Sequence, residues 1–420
     1  MSSQAQLLSR IAKPKSQQGV ALILAMMIVT LIAIVATEIS WRFELSTSRS
    51  GNRWAGIQAR AYIEGAEQLA MIVLREDQDN ADTQKADHQG EDWAQPTQFP
   101  TDHGAIEGVI EDAQGRFNMN MMVQASGACP NDGARDNSGN CKPSGSACDD
   151  YTDAQRVFIR LLQTFNIGLD GEALYLNQQQ AQEITEAVID WLDEDSNRRG
   201  FGGVESEYYD QLEPPVAIKN GEMASVSELL LIKGMLPQLY NQLADYVIAL
   251  PTAEVSKINL NNAKEPVLRA LRAEEKQNDL VSNCDLSPIA MSENSDSQNQ
   301  DVETGVDAEA GAGGSGLENF IRSNEFYDWQ DLVSNPDLPY DWTQGGQGFG
   351  LNTELFEIAQ SKYFILESTV LIGEDYVRKG KSLIKREGGD QQGQGQNPGQ
   401  GAAQQGDIEL KVIRRTDANF

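Results

Sequence analysis

GVALILAMMIVTLIAIVATEISWRF, Gly19 to Phe43, carries no charged side chain from Val20 to Thr37, where Thr30 and Thr37 are the only polar residues. Eighteen helical residues at about 1.5 Å each span roughly 27 Å, enough for a thin hydrocarbon layer. Upstream, Met1 to Gly19 is polar, with Arg10, Lys13 and Lys15 and no acid. That basic flank is expected to stay cytoplasmic while the rest crosses. A secretory signal peptide would place a small-x-small cleavage site after the apolar run. The residues there are Glu38, Ile39, Ser40, Trp41, Arg42 and Phe43, which offer none, whereas a small residue, Gly19, sits directly before the run. Helical character continues beyond the membrane. Glu38 to Leu74 contains no Pro, and Trp54, Ile57, Tyr62, Ile63, Ala66, Leu69, Ala70 and Val73 recur mostly at three- and four-residue steps, the period of an amphipathic helix.

A Gly before an uncut apolar helix, after a short basic leader, resembles the type IV prepilin signal. The resemblance implies that the leader is removed between Gly19 and Val20 and that the helix remains as a stalk.

The 420 residues have a formal net charge of −30 and a sequence pI near 4.4. Such acidity speaks against phosphate-backbone recognition, so nucleic acid is not expected as a partner. The four cysteines are Cys129, Cys141, Cys148 and Cys284. Their spacing lacks the paired pattern of a zinc site, and His is nearly absent. Two disulfides in an oxidising compartment are expected, with the pairing open.

Along the rest of the chain, Asp77 to His103 is polar and reads as a loop. Ile106 to Ile110 and Arg116 to Met121 flank Asp112-Ala113-Gln114-Gly115, which reads as a hairpin. From Tyr151 the period becomes helical. Val157, Phe158, Leu161, Leu162 and Phe165 form one stripe, with Asp153 as N-cap. Ile184, Val188, Trp191 and Leu192 form another. Further helical runs cover Glu228 to Leu236, Leu239 to Leu250 and Pro266 to Arg272. Glu293 to Gly316 lacks large apolar residues and is expected to be disordered. Tyr363 to Ile372 is β-rich, Lys381 to Arg386 and Ile408 to Arg414 are shorter candidates, and the Gln/Gly tract Gly388 to Gly406 reads as a flexible loop. The expected fold is α+β: a long N-terminal helix packed on an antiparallel sheet, with a large all-α insertion. The expected segments are 1–19 as leader, 20–37 as transmembrane stalk, 38–75 as periplasmic stalk and 76–126 as the first part of the head. The helical insertion takes 127–341 and the second part of the head 342–420.

Several motifs then point to one family. They are Gly19-Val20, FNMN at Phe117 to Asn120, DWLDEDSNRRGFGGVESEYY at Asp190 to Tyr209, SVSELLLIKGM at Ser225 to Met235, KINLNNA at Lys257 to Ala263 and YFILEST from Tyr363. Together they resemble the general secretion pathway protein K (GspK) family, the large minor pseudopilin of type II secretion. The resemblance implies a pilin-like head with an inserted helical domain, residence in the inner membrane with the C-terminal domain in the periplasm, and assembly without catalysis. It implies minor pseudopilins I, J and H, major pseudopilin G and prepilin peptidase as partners, with contacts to the secretin and to exported proteins. It also implies N-methylation of Val20. Major pilins carry Glu as the fifth mature residue; here that position is Leu24. A carboxylate at membrane depth is costly and is tolerated in pilins by pairing with a neighbouring amino terminus. A subunit with nothing above it needs no such pair, so Leu24 suggests a filament tip.

Asp193, Asp195 and Asn197 alternate like the start of an EF-hand, but Gly falls at the eighth loop position, Gly200, and position twelve is Val204. Another oxygen-ligand Ca²⁺ loop remains open. The resemblance implies calcium in the inserted domain, carried here onto Asp193, Asp195 and Glu205 first, then Asp190 and Glu207. SELLLIKGM and KINLNNA look like helix-hairpin-helix elements, read here as packing elements. No catalytic residue is expected: His88 and His103 lie in the polar loop, and no Ser/His/Asp arrangement or P-loop occurs. The rival readings are a minor pilin of a type IV pilus or competence system, and a signal-anchored calcium-dependent hydrolase using acids such as Glu205 and Glu207.

Overall fold

A computed structural model describes residues 18–79, 86–123, 150–168, 174–251, 257–271, 286–288, 321, 324, 326, 332, 355–373, 376–387 and 408–416. The four cysteines, most of the leader and the tracts 293–316 and 388–406 lie outside the described residues.

Helix α1 (Gln18–Asp79) is continuous from the apolar run into the head. Its first half is exposed, with Leu24 at 60%. Its second half turns small and branched side chains inward. Ala59 and Ile63 pack with Val370, and Ala70 and Leu74 pack with Ile110, Phe364, Leu366 and Ile384. Gly380 permits the close approach, since a Cβ there would lie 3.1 Å from the Ile63 side chain. One carboxylate enters this seam. Glu67 is fully buried, accepting from Ser382 Oγ at 2.6 Å and from Arg415 at 2.6 and 2.7 Å. Those charge-assisted bonds offset its desolvation.

The sheet behind α1 has five antiparallel strands in the order β1-β2-β7-β8-β9. They are β1 (Thr97–Thr101), β2 (Gly104–Asp112), β7 (Tyr363–Ile372), β8 (Tyr376–Glu387) and β9 (Glu409–Thr416). The chain between β2 and β7 is the insertion, and their long register from Gly104↔Ile372 to Asp112↔Phe364 closes the head across it. Two expectations fail here. The turn at 112–115 does not close a hairpin, because Phe117–Asn118 (β3) pairs in parallel with Val247–Ile248 (β4) inside the insertion. The hairpin partner of β2 is instead β1, from the segment read as a loop. β1 is an edge strand with four exposed residues and Pro100, so it has no apolar alternation to reveal it.

The insertion holds α2 (Asp153–Leu162), α3 (Gln178–Leu192), the short α4 (Ser206–Tyr209), α5 (Pro237–Leu243) and α6 (Glu265–Leu271). A further two-stranded parallel pair joins β5 (Ile258–Asn259) to β6 (Phe356–Glu357). Thr152 caps α2 in a reciprocal capping box with Gln155, displacing the expected Asp153, which lies one residue inside the helix. The run Glu228 to Leu236 is a 3-10 helix over Val226–Leu231, and the run from Leu239 ends at Leu243 before turning into β4. The core centres on Phe117 and Phe158, stacked at 5.8 Å.

FNMN and KINLNNA prove to be paired locks. Asn118 exchanges bonds with the Leu250 backbone at 3.1 and 3.0 Å, and Asn120 does so with Met223 at 3.0 and 2.7 Å. Asn259 and Asn262 donate to Asp112 Oδ2 at 2.9 and 2.6 Å, where Ser361 Oγ also donates at 2.6 Å. Asp112 is the last residue of β2, so this lock ties the insertion to the head. Burial pushes its carboxyl up to about 6, opposed by the Ser361 hydrogen bond.

The attachment has a direction. The Gly104 end of β2 lies with Ile372, next to Tyr376, whose hydroxyl approaches Gly56 of α1. Its Asp112 end is tied through Asn259 to Asp87, whose carboxylate pairs with Arg386 within 3.9 Å of Asp77 in the last turn of α1. The insertion therefore leaves the head at the end away from the apolar run.

Candidate metal centre

The acidic loop begins where α3 ends. Asp193 is the C-cap, extended at φ −78° and ψ 161°, with its N–H donating to Ile189 O at 2.9 Å. Asp195 Oδ1 accepts from Asn197 N at 2.8 Å, which turns the loop locally. The chain returns through Arg199-Gly200-Phe201-Gly202-Gly203 to Glu205, which precedes α4. Each glycine-rich turn is forced by contact. Gly200 has φ +53°, and a Cβ there would lie 2.1 Å from Glu186 Oε1; a Cβ on Gly203 would lie 2.4 Å from Asp190 Oδ2.

Asp193, Asp195 and Glu205 converge, each offering an oxygen within 4.8 Å of the others. Asp193 Oδ1 and both Glu205 carboxylate oxygens are buried without a hydrogen-bond partner. An unbalanced buried carboxylate is expensive, and hard divalent cations take such oxygen donors. Burial, then the neighbouring acids, raises Asp193 and Glu205 to about 7 each, with Arg198 partly opposing at Glu205.

Asp190 and Glu207 take other places. Asp190 is fully buried and accepts from Arg199 N at 3.0 and 3.2 Å, so it braces the returning chain. Burial raises it to about 9 against that hydrogen bond. Glu207 is exposed and lies outside the converging group. Asn220 is a residue that spacing did not reveal. Its Nδ2 donates to Asp195 O at 2.9 Å, and its Oδ1 is buried without a partner. Its φ of 44° is a conformation Asn tolerates better than most residues.

Around this loop, Tyr151 Oη donates to Glu186 Oε1 at 2.7 Å, Gly202 N donates to Glu186 Oε2 at 2.6 Å, and Arg199 lies 5.9 Å over the Tyr151 ring. The returning loop is thus held by Tyr151, just before α2, and by Glu186 of α3. Among the described residues one other acidic group converges, Asp77 with Asp87 and Glu91, at the top of the stalk beside Arg386.

A family model described as "Type II secretion system (T2SS), protein K" matches residues 115–252. The chain is 32% identical over 251 residues to type II secretion system protein K of Aeromonas hydrophila, covering 60% of this chain and 68% of that protein. It is 34% identical over 262 residues to the protein of the same name from Pseudomonas aeruginosa, covering 61% and 68%. Among solved structures, a chain of the GspK-GspI-GspJ complex from enterotoxigenic Escherichia coli superposes with a TM-score of 0.55 at 21% identity, covering 88% of this chain and 98% of that one.

Proposed function

Because the chain belongs to the type II secretion system protein K family, we propose that it caps and helps initiate the pseudopilus, acting through assembly and without chemical turnover. It is a minor pseudopilin of the type II secretion system, and its apolar N-terminal helix is consistent with a single-pass membrane anchor. The observation that carries the tip reading is the direction of the insertion. It leaves the head at the end away from the apolar run, where a subunit stacked above this one in a filament would otherwise sit. Leu24 fits the same position, since a terminal subunit needs no intramembrane carboxylate to receive another amino terminus.

In this reading prepilin peptidase cuts between Gly19 and Val20 on the cytoplasmic side and methylates Val20. The stalk stays in the inner membrane and the head lies in the periplasm. There it joins minor pseudopilins I and J, then H and major pseudopilin G below them, and meets the secretin and exported proteins above. The GspK-GspI-GspJ complex supports the choice of I and J. Asp193, Asp195 and Glu205 would hold Ca²⁺, with the Asn220 amide oxygen as a further donor and Asp190 bracing the loop. The ion would supply counter-charge and fix the surface the insertion presents. The buried oxygens without partners support this ion.

The test is co-purification of the detergent-solubilised full chain with I and J from the same system, with calcium and with chelator. A stable ternary complex in calcium is expected. Absence of a complex under both conditions overturns the tip-assembly reading.

A further inference from the structure

Arg42, Arg49, Arg53 and Arg60 on α1 are separated by seven, four and seven residues. At about 100° per residue they fall within roughly 40° of one another, along roughly 27 Å of helix. All four are exposed. The end members have local partners, Arg42 with Glu38 at 2.6 Å and Arg60 with Glu64 at 3.2 Å. The middle pair has none among the described residues. No acid occurs between Glu44 and Glu64, and Arg49 and Arg53, four residues apart on one face, repel each other. In a chain of net charge −30 the middle of this face, at Arg49 and Arg53, has no acid within the same stretch of helix.

Two features extend the stripe. Upward it runs into a cavity of about 630 Å³ at the foot of the head, lined by Arg60 together with Arg378 and Lys379 of β8, both of them exposed. To one side, roughly 60–120° around the helix, lie Ile39, Phe43, Trp54 and Ile57, exposed by 61, 73, 73 and 58%. The sheet packs on the other side, through Ala59, Ile63, Ala70 and Leu74.

We propose that this face is a docking surface for an acidic helix of a neighbouring pilin-like subunit, with Arg49 and Arg53 receiving carboxylates beside the aromatic stripe. The proposal rests on the pseudopilin reading and adds which face of the stalk is used and the charge of its partner. An apolar stripe flanked by charge is the pattern of helix-on-helix packing. Lipid headgroups fit poorly as the source of negative charge. Arg49, Arg53 and Arg60 stand about 18, 24 and 34 Å along the helix beyond Thr37, past a screening length of about 8 Å.

The test uses the full chain in its membrane, co-expressed with the other pilin-like subunits of its secretion system. Ile57 is replaced by the photocrosslinker benzoylphenylalanine, and products are mapped by mass spectrometry. The expected product joins a helical peptide of another pilin-like subunit bearing at least two acids. Its yield should fall about tenfold in Arg49→Glu/Arg53→Glu and stay within about twofold in Arg49→Lys/Arg53→Lys. A product with lipid or nucleic acid, an acid-free peptide, no product, or a yield indifferent to charge reversal overturns the proposal. Failure of the pseudopilin reading shows separately, as the unmodified chain failing to co-purify with I and J.

Discussion

At Glu205 two buried oxygens lack partners, and at Asp193 one does; these atoms argue hardest for an ion. Neutralising them should remove binding without removing the fold. Asp193→Asn/Glu205→Gln is expected to abolish Ca²⁺ binding by titration calorimetry and the calcium-dependent rise in Tm, while raising the Tm of the calcium-free chain. For the unsubstituted chain, calcium at 100 times its Kd would add about 2.7 kcal/mol. The pH dependence follows from the raised acids. Asp193 and Glu205 near 7 and Asp190 near 9 take up protons in the calcium-free folded chain that the unfolded chain has already lost. Calcium-free stability should therefore fall as pH rises from about 4 to about 9. Calcium competes with those protons, so its affinity should rise over the same interval, by about tenfold or more between pH 6 and pH 8. An affinity flat over that interval would contradict the ligand set. Gly203 gives an independent check on the frame. Gly203→Ala drives a Cβ onto Asp190 Oδ2 and onto Arg199 O at 2.3 Å, and should cost about 1–3 kcal/mol in denaturant titration.

Among elements, α1 was the most legible in the sequence, because an uncharged run and a long helical period are local signals. The same period cannot say which side meets the sheet. That choice depends on small residues such as Ala59 and Gly380, and on Glu67, whose charge hides its burial. Glu67→Ala would leave Ser382 and Arg415 without their acceptor and should destabilise the head by about 1–3 kcal/mol, read as a lower denaturant midpoint. β1 and the false hairpin mark the opposite limit. An exposed edge strand carries no alternation, and the alternation at Phe117 and Met119 belongs to the core of the insertion, with Asn118 and Asn120 between them as its locks. The acidic loop falls between these cases. Asp193 and Asp195 alternate visibly and Glu205 follows the glycines, but Asn220 joins them only through the fold.

For the whole molecule, the lock at Asp112 decides how the insertion sits. Asn259 and Asn262 from one segment and Ser361 from another, about a hundred residues further on, converge on the Asp112 carboxylate at the top of β2. The motif that carries Asn259 and Asn262 was readable as a motif, and its partners Asp112 and Ser361 were not, since hydrogen bonds across such separations leave no periodicity. Asp112→Ala should leave these buried donors without their common acceptor, loosening the insertion from the head and increasing hydrogen exchange at Asn259 to Asn262 and Ser361. The proposed tip position rests on the insertion leaving the head at the end away from the apolar run. The direct measurement is electron microscopy of pseudopili assembled with this chain carrying a gold label on its head. Label is expected at a single end of each filament. Label repeated along the shaft would contradict it.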